Sequence, residues 1–249
     1  MVRKVDEVIA AWAAPLERKL AEDPEGVQRA FYLTQHLLRL LAEGQPVTAA
    51  DLAARTALPL EVVTEAFQEI KKQGGEFNED GHVVGDVLTL KPTPHRFYLN
   101  GQILYTWCAL DTIFLPGLLE ETAAVESTCP VTGETIRLTI TPDGVTQYSP
   151  ASTVLSIAVP GVSCNREAPA GEADRAIRAR ESCQQMYFFS TRTAAEEWVR
   201  DYPGVVIFTV EETWQLARVH WIDRWQQQVL VKTHGRQSQN SACGDIFCC

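Results

Sequence analysis

The sequence predicts an α+β fold: an N-terminal winged-helix-like helical module packed on a mixed or antiparallel sheet domain with flanking helices. Three observations carry this reading. Apolar residues recur at helical spacing through the first third of the chain, and the period turns strand-like after Pro92. Two Asx-Gly dipeptides mark hairpins: Asp80-Gly81 as a turn after Phe77, and Asn100-Gly101 as a two-residue turn.

Val5, Val8, Ile9, Trp12, Leu16 and Leu20 form one apolar face, and that helix must stop at Asp23-Pro24. Residues 27–42 repeat the pattern through Ala30, Phe31, Leu37, Leu38 and Leu41 and end at Gly44. Thr48 followed by Asp51 predicts a capping box for a short helix, and a turn at Leu58-Pro59 leads into a helix over 61–72. A hairpin around Asp80-Gly81 completes a winged helix-turn-helix pattern. Such a module invites a DNA-binding reading, but its recognition helix carries Glu61, Glu65 and Glu69 against Lys71 and Lys72. Phosphates would repel that face, so the module reads as a helical cap, with no nucleic-acid partner. The expected division is residues 1–90 for the module, 91–232 for the core domain and 233–249 for a flexible tail containing cysteines.

In the core, residues 95–99 and 102–107 form a hairpin about Asn100-Gly101. Strands are expected at 123–128, 135–141 and 154–159, with turns at 130–133 and 142–144. Residues 163–181 read as a polar loop with a short helix at 172–180. Met186-Tyr187-Phe188-Phe189 reads as a buried strand, Thr193 with Glu196 as the cap of the next helix, 205–210 as a strand and 211–231 as a long helix. Trp221 and Trp225, at i and i+4 of that helix, are packing residues.

Composition excludes several classes of function. The 249 residues are 45% hydrophobic and 22% charged, as in ordinary globular proteins. A net charge of −10 and a pI near 5.0 argue again against nucleic acid. No apolar run reaches the length of a membrane span. Met1-Val2-Arg3-Lys4-Val5-Asp6-Glu7 has no apolar signal region, so a cytoplasmic location with reduced thiols is expected for the seven cysteines. The scattered histidines (His36, His82, His95, His220, His234) show no zinc-hydrolase spacing, and the chain has no phosphate-binding glycine loop or G-x-S-x-G elbow.

The chemistry centres on Leu104-Tyr105-Thr106-Trp107-Cys108-Ala109-Leu110-Asp111-Thr112, an apolar run holding one thiol and one carboxylate three positions apart. If the segment is helical there, both lie on one face. A carboxylate in apolar surroundings has its pKa raised, and a thiol beside it stays protonated unless a soft electrophile binds it. Spacing alone also allows a plainer reading: Cys108 as a small buried hydrophobe and Asp111 as the cap of a helix starting at Thr112.

This segment resembles the core of the organomercurial lyases (alkylmercury lyases). So do Val84-Gly85-Asp86-Val87-Leu88-Thr89-Leu90, Glu126-Ser127-Thr128-Cys129-Pro130-Val131-Thr132-Gly133, Glu181-Ser182-Cys183-Gln184-Gln185-Met186-Tyr187-Phe188-Phe189 and Thr193-Ala194-Ala195-Glu196-Glu197-Trp198. The resemblance runs from about residue 83 to Trp225 and more loosely over the N-terminal helices. It implies cleavage of a carbon–mercury bond, with Cys108 and Cys183 as thiolates on mercury and Asp111 shuttling the proton. It implies no resident cofactor, a small organomercurial as substrate, and cellular thiols or a mercuric reductase as acceptor of Hg(II), which Asp111 holds as a weaker third ligand. Soft thiolates suit mercury, and a carboxyl of raised pKa suits proton delivery to carbon. Cys129 matches a structural position of the family, and Cys164 is incidental. Gln184 stands where relatives often carry a second Cys, which the mechanism does not need. Cys243, Cys248 and Cys249 are similar to the mercury-handling tail cysteines of mercuric reductase and read equally as mercury-transfer ligands or as adventitious. The competing reading is a non-catalytic mercury-binding or metal-sensing protein on the same scaffold. A Cys-dependent acyl transferase would need a His base near Cys108, and the sequence indicates none.

Overall fold

Asp23 ends one helix and starts the next. In the computed structural model, which describes residues 2–160 and 182–231, α1 spans Val2–Glu22 and α2 spans Pro24–Leu41. Asp23 Oδ1 accepts the Gly26 N–H at 2.9 Å, with Pro24 in the first turn where no N–H is needed. A Cβ on Gly26 would fall 2.0 Å from that carboxylate, so the cap requires glycine there. α3 (Ala49–Thr56) has the predicted capping box, with Thr48 N donating to Asp51 Oδ2 and Asp51 N to Thr48 Oγ1, both at 3.0 Å. α4 (Leu60–Lys72) turns Val63, Ala66, Phe67 and Ile70 inward and leaves Glu61 and Glu65 in solvent.

The wing hairpin, β1 (Glu76–Phe77) with β2 (Val83–Asp86), does not stand apart. It continues through β3 (Leu88–Thr89) into β5 (Gln102–Thr106), and then β4 (His95–Leu99), β6 (Ala123–Thr128), β7 (Thr135–Thr141) and β8 (Gly144–Ser149). Every neighbouring pair in this sheet is antiparallel, which decides between the mixed and antiparallel alternatives. Asn100 and Gly101, with φ of 47° and 79°, make the tight turn between β4 and β5 as predicted. A smaller antiparallel sheet sets β9 (Val154–Ala158) between β10 (Phe188–Phe189) and β11 (Val205–Thr209). Every residue of β9 is buried. Between the two sheets and α2 runs α5 (Ala109–Leu119), buried along its whole length, as a helix apolar all round must be.

Several local expectations change. β8 was not anticipated, because Gly144, Thr146, Gln147 and Ser149 give it no apolar alternation; it is an outer strand with little to bury. The strand expected over 186–189 shrinks to Phe188–Phe189. Thr191, not Thr193, caps α6 (Arg192–Trp198), its Oγ1 accepting Ala194 N at 3.2 Å. The long helix breaks into α7 (Val210–Ala217), a π-turn over Arg218–Ile222, and α8 (Asp223–Val231). The wider turn lets three consecutive residues, His220, Trp221 and Ile222, be buried. Trp221 stacks on Phe114 of α5 (4.8 Å, 11°) and meets Trp12 of α1 at 5.1 Å, while Trp225 packs edge-on against Phe31 of α2 at 4.8 Å. The short helix expected at 172–180 and the tail lie outside the described residues.

Gly117 faces this junction, where an added Cβ would lie 2.5 Å from Ile222 Cδ1. Alanine is the better helix former by about 1 kcal/mol, but overpacking costs about 1–3 kcal/mol. Gly117→Ala is therefore expected to lower stability in urea unfolding, and Ile222→Val in the same chain to recover part of the loss. An additive double mutant would contradict this contact.

Candidate active site

The site forms where β5 passes into α5. Trp107 N donates to Val87 O at 3.0 Å, and Thr106 Oγ1 donates to Cys108 O at 2.8 Å, fixing the chain as it leaves the sheet. Cys108 has extended backbone (φ −145°, ψ 173°) and is itself the N-cap; the helix begins at Ala109. The plainer reading, in which Asp111 caps a helix starting at Thr112, is corrected accordingly. Asp111 is the third helical residue, and its Oδ2 accepts the Cys108 N–H at 2.9 Å while its own N–H faces the Cys108 side chain. This is a capping box with a thiol in place of the usual hydroxyl.

Cys183 is brought to the same place from the far side of the chain. Met186 N donates to Cys183 O at 3.0 Å, and Ala109 N donates to Met186 O at 3.0 Å, pinning the Cys183 turn to the first turn of α5. Ser156 of β9 clamps that turn: its N–H donates to Tyr187 O at 3.0 Å, its hydroxyl donates to Gln185 O at 2.7 Å, and its Oγ accepts from Tyr187 N at 2.9 Å. As a result the ligand atoms of Cys108, Asp111 and Cys183 all lie within 4.8 Å of one another. With metal–thiolate bonds of about 2.3 Å, as for zinc, two sulfurs on one ion stand up to ~4.6 Å apart. The pair can therefore bridge a soft metal with little movement.

Burial dominates the electrostatics. Asp111 is 4% exposed, and desolvation pushes its carboxyl up to about 7 against the pull of hydrogen bonds from the Cys108 thiol and backbone N–H. A nearby Asp86 charge pushes in the same direction as burial. The Cys108 thiol is raised well above its ordinary value, first by burial, then by the Cys183 side chain and the Asp111 charge. A helix N-terminus favours thiolates, yet here burial wins and Cys108 stays protonated until a soft electrophile displaces the proton. Cys108 is fully buried and Cys183 half-buried, so access is from the Cys183 side.

The remaining candidates divide. Cys129 is buried in its own turn; burial works to raise its thiol, but hydrogen bonds from Thr132 and from the N–H groups of Ser190, Thr132 and Val131 outweigh this and lower it. Cys164, Cys243, Cys248 and Cys249 lie outside the described residues. His95 is buried and neutral, its pKa pushed down to about 3 by desolvation, and its Nδ1 pairs with Ser127 Oγ at 2.8 Å rather than with a thiol. Asp86, whose charge acts on Asp111, was not singled out in the sequence. It is the only charge in Val83-Val84-Gly85-Asp86-Val87-Leu88-Thr89-Leu90, and that isolation was the available signal.

Comparison with known proteins agrees with this geometry. The family described as Alkylmercury lyase (MerB) matches residues 88–221, and the Helix-turn-helix domain of alkylmercury lyase matches residues 11–86. An alkylmercury lyase of Staphylococcus epidermidis is 39% identical over 188 residues, 75% of this chain and 80% of that protein. One of Bacillus cereus is 37% identical over 224 residues, 89% and 91% of the respective chains. The fold is similar to that in a crystal structure of the mercury-bound form of MerB2, with a TM-score of 0.64 at 23% identity, covering 88% of this chain and 98% of the other.

The raised Asp111 carboxyl has a consequence for stability. Its folded value lies above its unfolded one, so its contribution is complete below about 4 and is lost as pH rises to about 7. Asp111→Asn cannot ionise, so the wild type is expected to lose on the order of a few kcal/mol relative to the variant between pH 4 and 7.5 in urea unfolding. Parallel pH profiles would show that the carboxyl is not held protonated by burial.

Proposed function

We propose how a chain that belongs to the alkylmercury lyase family carries out its reaction: Cys108 and Cys183 take mercury between them while Asp111 delivers a proton to carbon. The observation that carries this reading is the convergence of two thiols and one buried carboxyl within 4.8 Å. The half-buried Cys183 meets the mercurial first: its sulfur bonds mercury, the bond to the ligand opposite carbon breaks, and the thiol proton leaves with that ligand or to water. The Cys108 proton passes to Asp111, to which the thiol is already hydrogen-bonded, as Cys108 sulfur becomes the second ligand. Two soft donors load electron density onto mercury and give the organic group carbanion character. The carbon–mercury electron pair then takes the proton from Asp111, and the hydrocarbon leaves. Electrons and protons are all supplied by these side chains and the substrate, so no resident cofactor is required.

Mercuric ion stays on the two thiolates, with Asp111 oxygen as a weaker third ligand, until cellular thiols or a mercuric reductase take it. Cys243, Cys248 and Cys249 are the candidates for handing it over. The activity belongs in the cytoplasm, where thiols stay reduced; among the described residues no helix is long and apolar enough to cross a membrane. The exposed Glu61 and Glu65 on α4 favour a cap over a DNA-binding element.

Release of benzene from a phenylmercurial, or methane from a methylmercurial, with excess thiol tests the reading. Asp111→Ala is expected to keep stoichiometric mercury binding and lose about 10²–10⁴-fold in hydrocarbon release, the usual contribution of general acid–base catalysis. Cys108→Ser and Cys183→Ser should each abolish turnover and weaken Hg(II) retention. Wild type that binds mercury without releasing hydrocarbon would leave the non-catalytic mercury-binding alternative. Replacing all three tail cysteines with serine should leave single-turnover release unchanged and slow transfer of Hg(II) to a reductase; an unchanged transfer rate would remove the tail from the mechanism.

A further inference from the structure

The spacing of the two sulfurs leaves little slack. The ligand atoms of Cys108, Asp111 and Cys183 lie within 4.8 Å of one another, and two sulfurs sharing one ion stand up to ~4.6 Å apart for bonds of zinc-like length. Cys108 is fixed by its place as the cap of α5. Cys183 sits in an irregular turn and is half-buried. Whatever holds that turn decides whether both sulfurs reach one mercury atom.

We propose that Ser156 is a positioning residue of the reaction. Its buried hydroxyl holds the Cys183 turn at the spacing at which mercury is bridged, so the second sulfur–mercury bond depends on it, and with it the release of hydrocarbon. The proposal rests on the lyase reading and deepens it. Ser156 acts through the backbone of residues 185–187, not on the mercurial.

β9 is otherwise apolar, with Val154, Leu155, Ile157 and Ala158 around a Ser156 that is 0% exposed. A hydroxyl in such a place is costly unless hydrogen-bonded. This one donates to Gln185 O at 2.7 Å and accepts from Tyr187 N at 2.9 Å. Its position along the ladder gives these bonds their effect. β10 pairs with β9 as Phe188 with Leu155 and Phe189 with Val154, so a continued ladder would next pair Tyr187 with Ser156. The Ser156 N–H does reach Tyr187 O at 3.0 Å. The Tyr187 N–H, however, turns to the hydroxyl, where a regular antiparallel pair would use the Ser156 carbonyl. The strand therefore stops at Phe188, and the chain bends into the turn in which Gln185 N donates to Ser182 O and Met186 N to Cys183 O. That turn is anchored on one flank to α5, through Ala109 N and Met186 O, and on the other to Ser156. Without the hydroxyl, Gln185 O and Tyr187 N lose this partner, and the second flank keeps only the bond from the Ser156 N–H. A site whose supporting contacts are loosened by about 1 Å loses about 100-fold in rate.

Steady-state hydrocarbon release from a phenylmercurial with excess thiol tests the role. In Ser156→Ala the KM should stay within a few fold of wild type, because Cys183 still takes up the mercurial, while kcat should fall about 100-fold. Ser156→Thr keeps the hydroxyl, and Ser156→Val has similar bulk without it. The threonine variant should keep most of the kcat that the valine variant loses, a comparison that holds even if the alanine variant folds poorly. Ser152→Ala removes a similar bond, from Ser152 Oγ to Ser190 O at 2.6 Å beyond the other end of β10, and should leave kcat unchanged. One equivalent of Hg(II) should pass to a competing thiol faster from the valine variant than from the threonine variant, which reads bridging without catalysis. Equal kcat or equal Hg(II) retention in the threonine and valine variants would overturn the proposal, as would a kcat loss of the same size in Ser152→Ala. No hydrocarbon from the wild type would remove the lyase reading and this role with it. Hydrocarbon from the wild type with no difference between the two variants would remove the role of Ser156 alone.

Discussion

The hydrogen bond from the Cys108 N–H to the Asp111 carboxylate, made inside apolar surroundings, is the constraint on which the site depends. It starts α5, because Cys108 holds the extended backbone of a cap and Asp111 satisfies the backbone group left open there. It also places the thiol directly against the acid. Burial then sets the proton states: both groups lose more by desolvation than they gain from the helix N-terminus, so the thiol is kept neutral and the carboxyl titrates near neutrality. In the proposed reaction one local motif serves as a structural cap and as a proton shuttle, and the cost of its burial is what suits it to that chemistry.

The rest of the fold keeps that motif dry and brings the second sulfur to it. α5 is buried along its length between the sheets, α2 and the aromatic junction of Trp12, Phe114 and Trp221. The π-turn in the last helix belongs to the same task, since burying three successive residues against α5 needs a wider turn than an α-helix provides. Ser156 is the counterpart on the other side: one hydroxyl and one N–H hold the Cys183 turn on both flanks, so a short irregular segment is positioned as firmly as a strand.

The helix-turn-helix module here is built into the sheet that carries the site. Its hairpin is welded into the catalytic sheet through β3, and the reversal at Val87 that joins them lies beside Trp107. A winged module whose outer helix is acidic and whose wing is a sheet edge of the core is better described as part of the enzyme's wall. The exposed Glu61 and Glu65 of α4 make that face unfavourable to phosphates.

Much was legible in the residues themselves. Helical spacing, the Thr48–Asp51 box and the Asn100-Gly101 turn are local signals, determined by a few neighbouring side chains, and each reappears in place. The thiol and carboxyl of the central segment were visible for the same reason. What the sequence could not hold was set by distant parts of the chain. Whether Cys108 or Asp111 begins the helix depends on Thr106 and on the carbonyl of Met186, which takes the Ala109 N–H. The break in the last helix depends on what α5 presents to it, and β8 has no pattern because its role is to pair, not to bury. Sequence by itself determined the elements and the reactive residue types, because those follow from local backbone preference and side-chain chemistry. Only the tertiary structure decided proximity and protonation, because desolvation and charge coupling act between groups that the chain alone leaves far apart.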